Sequence, residues 1–150
     1  MKIYDCFMFF DEDMLLDLRL NIMNQYVDKF IITEATYMHN GSKKKLNFDI
    51  NKYKKFKDKI TYIVVDEPPP DLLHINEEDD KGKKESKKIW NAYKREIQQI
   101  EKTKEGISKA DSEDIIIVSD LDEIPKLDKI NLDSINEKLI FFKQKMYYYK

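Results

Sequence analysis

Apolar residues fall in short runs along this chain, and the period of those runs changes several times. Residues 2–10 carry Ile, Tyr, Phe and Met without a breaker, which predicts a strand with Ile3, Phe7 and Phe9 on one face and Asp5 interrupting it. From Met14 the period lengthens. Leu16, Leu20, Met23 and Val27 recur at helical spacing, with Asp11 or Asp13 placed to cap the first turn. Residues 30–34 predict a buried second strand and 60–65 a third, closed by Pro68-Pro69-Pro70 because proline cannot donate to a ladder. Between them, Asn40-Gly41-Ser42 marks a turn and residues 51–59 a short basic helical stretch. Residues 71–84 are polar and read as a mobile loop. Trp90, Tyr93, Ile97 and Ile100 predict a helix over about 85–104 with that stripe in the core. Residues 115–119 predict a fourth strand, and 139–142 and 146–149 are further strand candidates.

Strands alternating with helices predict βαβ units, hence an α/β domain with a mostly parallel sheet and helices on both faces. At 150 residues and 18.1 kDa the chain suits one core, and a single domain over 1–150 is expected. Hydrophobic residues at 41% and aromatics at 12% exclude disorder for the bulk of it. Lys+Arg 27 against Asp+Glu 29 leave a net charge of −2, which excludes the electrostatic footprint of a dedicated nucleic-acid binder. A lone cysteine, Cys6, cannot form an internal disulfide, so a reduced, cytoplasmic setting is the default and Cys6 reads as a small buried hydrophobe. No apolar run approaches the ~18–20 residues that span a bilayer, so no transmembrane segment is expected. With only three glycines, no glycine-rich phosphate loop can be written.

In an open α/β sheet, ligands bind beyond the carboxyl ends of the strands. Acids stand at four such places: Asp11-Glu12, Glu34, Asp66-Glu67, and Asp120-Leu121-Asp122-Glu123. The last is the sharpest, because an uninterrupted apolar run delivers three carboxylates with no Lys or Arg among them. Asp120 and Asp122 point the same way in extended backbone, and carboxylates that close repel unless a cation lies between them. All-oxygen ligation suits Mg²⁺ or Mn²⁺, which take one or two carboxylates plus substrate phosphates. Acids at strand ends also serve as loop and cap residues. His39 and His74 lack the spacing of a metal pair, and His39 reads as a solvated loop residue beside a turn.

KIYDCFMFF at 2–10 with Asp17-Leu18-Arg19-Leu20, VDKFIITEAT at 27–36, and IIIVSDLDEIP at 115–125 together resemble glycosyltransferase family 17. The resemblance implies the A-type, Rossmann-like fold of nucleotide-diphospho-sugar transferases. It implies a UDP-N-acetylglucosamine-type donor, a glycan acceptor and inversion at the anomeric carbon. Asp120 and Asp122 would then hold Mn²⁺ or Mg²⁺ on the donor diphosphate, with Glu123 orienting a ligand water or sugar hydroxyl. Glu34 would accept hydrogen bonds from ribose or uracil, and Arg95, more simply a surface cation, has the chemistry to reach the diphosphate. Only 25 residues follow Pro125, so the acceptor portion and the general base are expected outside this chain, which reads as truncated or completed by a partner chain. Two rival readings are a haloacid-dehalogenase-like phosphatase, with Asp120 as nucleophile, and a catalytically incomplete nucleotide-sugar-binding or interaction module.

Overall fold

A computed structural model describes residues 1–135 and 137–145. Four parallel strands, β1 (Ile3–Met8), β2 (Lys29–Ala35), β3 (Ile60–Val65) and β4 (Ile115–Val118), form one sheet in the order β3-β2-β1-β4. The chain steps outward from β1 to β3 and then returns to place β4 on the other side of β1. The order therefore reverses at β1 and β4, and a crevice opens beyond the carboxyl ends of strands at such a switch point.

Alternation along the strands sorts two apolar layers. Ile3, Phe7, Phe30, Ile32 and Ile117 face the helix α1 (Asp13–Met23), whose Leu16, Leu20 and Met23 are buried against them. Tyr53 and Phe56 of a 3₁₀ segment, Ile50–Phe56, complete this layer. Tyr4, Cys6 and Ile31 face the opposite way, toward the second helix α2 (Lys81–Gly106). The expected α/β architecture, a parallel sheet with helices on both faces, is the one observed.

Several local expectations change. Glu12, not Asp11 or Asp13, stands at the start of α1, and its carboxylate turns back to accept from the amides of Phe10 and Asp11 at 3.1 Å. Asp13 instead receives Lys52 and the Tyr53 hydroxyl, which together hold its carboxyl below the usual range. Helix α2 begins at Lys81, four residues earlier than the stripe predicts, because Asp80 caps it by accepting from the amide of Lys83 at 2.8 Å. The 66–80 segment is tied to α2: the Asn91 side chain both accepts from Leu73 N and donates to Leu73 O, at 2.7 and 2.9 Å.

The largest correction concerns the α2 stripe. Trp90 and Tyr93 are each 49% exposed, and the buried residues of the helix are Asn91, Gln99 and Thr103. Gly106 fixes the level of the helix on the sheet: a Cβ there would lie 2.5 Å from Ile31 Cγ2. At 3.6 residues per turn Asn91, Gln99, Thr103 and Gly106 share one side of the helix, and Trp90 and Tyr93 fall on the other side, turned away from the sheet. They pair with each other, ring centroids 5.7 Å apart. Residues 139–142 form no strand, and Leu139 and Phe141 are exposed. The 146–149 candidate lies outside the described residues.

Candidate active site

A cavity of about 670 Å³ opens at the switch point, a size that suits a small-molecule ligand. Its walls come from the segment after β1 (Phe9, Phe10, Glu12), the loop after β2 (Tyr37 to Asn40, Lys44), the segment after β4 (Asp120 to Asp122) and Glu96 and Gln99 of α2.

The 119–123 segment is held from below by a side chain of α1. Arg19 is fully buried and forked onto Asp5 of β1, with Nε 2.9 Å from Oδ2 and Nη2 2.6 Å from Oδ1. Asp5 interrupts the apolar face of β1 because this cation waits opposite it. Nη2 also donates to Ser119 Oγ at 2.8 Å, and Nη1 to the carbonyls of Asp120, Leu121 and Glu123 at 2.7, 3.2 and 3.3 Å. Leu121 drops into the core while its neighbours Asp120 and Asp122 stay exposed at the cavity. Among the described residues, neither of those two carboxylates has a hydrogen-bonding or ionic partner.

Glu123 does not line this cavity; it shares smaller hollows with Asp122 and with Asp120, and its carboxylate folds back to within 3.4 Å of its own segment's Asp120 amide. No cluster of three His, Cys, Asp or Glu side chains suited to a metal occurs among the described residues. Two unpartnered carboxylates at an open cavity nevertheless fit a cation such as Mg²⁺ or Mn²⁺ that completes its shell with substrate phosphate and water.

Glu34 is not at the cavity surface. Its side chain is fully buried, Oε1 accepting from Lys44 Nζ and Asn47 N (2.8 Å), Oε2 from Phe48 N (3.1 Å) and Tyr62 Oη (2.8 Å). Burial and this hydrogen bond push the Tyr62 phenol well above its ordinary value. Glu34 thus anchors the 44–48 segment, and through Lys44, which lies 5.1 Å from the Phe10 ring centroid, one wall of the cavity.

Arg95 is likewise structural in its contacts. Its Nη1 donates to His39 O at 2.9 Å, and its guanidinium lies against Gly41, whose φ of +89° suits glycine. A Cβ on Gly41 would meet Arg95 Nη2 at 2.6 Å. Tyr37 Oη donates to Gln98 Oε1 at 2.7 Å, so two bonds fasten the loop after β2 to α2. His39 is exposed, as expected of a loop residue, and also lines the cavity.

Comparison with known protein families matches residues 1–150 to glycosyltransferase family 17. The chain belongs to glycosyltransferase family 17. This favours a glycosyltransferase over the phosphatase reading. No curated protein and no solved structure matches this family 17 chain. Among its described residues no helix is long and apolar enough to cross a membrane.

Reasoning from sequence placed Glu12 among the strand-end acids but missed Lys44, Glu96 and Gln99 as cavity residues. It also left the Arg19 clamp unread, although Arg19 falls within the Leu16, Leu20, Met23 stripe and Asp5 within the apolar face of β1.

Proposed function

We propose that this family 17 chain provides the donor site of an inverting, metal-dependent transferase that moves N-acetylglucosamine, or a similar sugar, from a UDP-sugar to a glycan acceptor. One observation carries the reading: in a glycosyltransferase chain, the exposed carboxylates Asp120 and Asp122, without a partner among the described residues, both line the cavity over the switch point. These two residues would hold Mn²⁺ or Mg²⁺, and the ion would offset the charge that grows on the departing diphosphate. The cavity walls would order the donor, with Phe9, Phe10 and Met38 supplying apolar surface and Gln99 a neutral amide. Lys44 is already matched by Glu34, so it shapes the wall rather than competing for phosphate. Glu34 positions that wall, and Glu123 sits beside the metal-binding pair as part of its turn. A cytoplasmic setting suits the single buried thiol.

The test is calorimetric titration of the chain with UDP in the presence of Mn²⁺ and again in EDTA. The reading expects binding with the metal, none without it, and loss in Asp122→Ala. Equal binding in EDTA, or an Asp122→Ala variant that binds as the parent does, would refute it. Donor hydrolysis in the same samples, followed as UDP release, reports turnover.

A further inference from the structure

A buried ion pair stabilises a core little compared with apolar side chains of the same volume. The Asp5–Arg19 pair is fully buried all the same, and most of what Arg19 does is directed at one short segment. Asp5 fixes the plane of the guanidinium from below, and the Phe7 ring lies beneath it, its centroid 4.6 Å from Cζ. The remaining donors reach Ser119 Oγ and three successive or near-successive carbonyls of 120–123. Drawing these groups inward leaves the side chains of Asp120 and Asp122 on the outer, cavity side. Without a cation between them two such carboxylates repel, which favours a more open turn.

We propose that Arg19 is a positioning residue that holds this turn closed and so preorganises Asp120 and Asp122 for a divalent cation before the donor arrives. The role rests on the transferase reading above and extends it to a residue buried beneath the cavity wall. Planarity is essential to it: five N–H groups in a fixed fork serve Asp5, Ser119 and the carbonyls at once, whereas a lysine offers three donors at one point. Supporting groups of this kind around metal ligands change affinity about 10–100-fold when removed.

The decisive variant is the double substitution Asp5→Leu with Arg19→Met, which removes both charges and keeps the volume filled, so the fold is expected to survive. Two measurements are made on it and on the parent chain. The first is amide hydrogen exchange at Glu123 and Ile124, whose N–H groups close the turn on Asp120 O and Asp122 O at 3.1 Å. Exchange there should rise at least tenfold while β1 and β2 amides stay protected. The second is UDP binding with Mn²⁺, which should weaken about 10–100-fold. Arg19→Lys should weaken it too, and Ser119→Ala, which exposes no buried charge, by a smaller factor.

Unchanged exchange at 123 and 124 in the double variant overturns the proposal, whether or not the parent binds UDP. So does unchanged UDP affinity where the parent binds. If the double variant does not fold, Ser119→Ala decides on the same two readouts. A parent that shows the exchange effect but binds no UDP refutes the donor-site reading and leaves the clamp standing.

Discussion

Glu34 and the Asp120/Asp122 pair stand in equivalent places, at the carboxyl ends of β2 and β4, and their surroundings are opposite. Glu34 is sealed from solvent with four donors on its two oxygens, while the aspartates face the cavity without a partner among the described residues. Both sets belong to the same open α/β sheet, so strand-end position alone does not make an acid a ligand. The supply of local donors decides. Where the following loop folds back and delivers amides, a hydroxyl and a lysine, the carboxylate becomes a fastening. Where a buried arginine takes the carbonyls instead, the carboxylates are left for something else.

The strongest way to break this contrast is Glu34→Ala. It strands Lys44, only 5% exposed, without its counter-ion and leaves two amides unmatched, so urea unfolding should show a loss of about 3–5 kcal/mol. Asp122→Asn should leave the unfolding free energy within about 0.5 kcal/mol of the parent while abolishing Mn²⁺-dependent UDP binding. Reversed outcomes, a benign Glu34→Ala and a destabilising Asp122→Asn, would invert the assignment.

Asp79 sharpens the contrast as a second fastened acid. Lys87 first and Lys83 next hold its carboxyl well below the usual carboxylate range. A depressed value in the folded state means that its contribution is whole above the ordinary carboxylate range and fades as the pH falls through the lowered value. Carboxyl NMR should find Asp79 still ionised where free carboxylates protonate, and Asp79→Asn should flatten that part of the acid limb of stability. The smallest effect concerns Cys6, beside Asp5 on β1. Burial first, then the Asp5 charge, pushes its thiol up to about 12. At pH 8 it should resist alkylation in the native chain and react once urea is added, followed by mass spectrometry.

All four strands and α1 were legible from apolar periodicity, because each of these segments sits against the one sheet and alternation or helical spacing reports that contact directly. Asp120 and Asp122 were legible as a pair because an unbroken apolar run must surface there. Trp90 and Tyr93 were misread for the reason their spacing looked convincing: periodicity predicts a face, and only the tertiary arrangement determines whether a sheet lies beneath it. Glu34 was misread because its donors come from residues 44–62, which no local pattern around β2 reveals. Asp5 and Arg19 left a signal that went unused. Two opposite charges on two facing apolar stripes are costly apart and compatible together.

Gly106 sits where α2 meets Ile31, and α2 is a single rod that also carries Glu96 and Gln99 at the cavity. A methyl group added at that seat must push the rod or Ile31 aside, since the nearest side-chain atoms would be 2.5 and 2.9 Å away. The far end of a stiff lever moves with its pivot. Widening the foot of the molecule by one carbon atom would therefore also splay its mouth, and the least conspicuous residue in the chain acts as a spacer that sets the bore of the cavity.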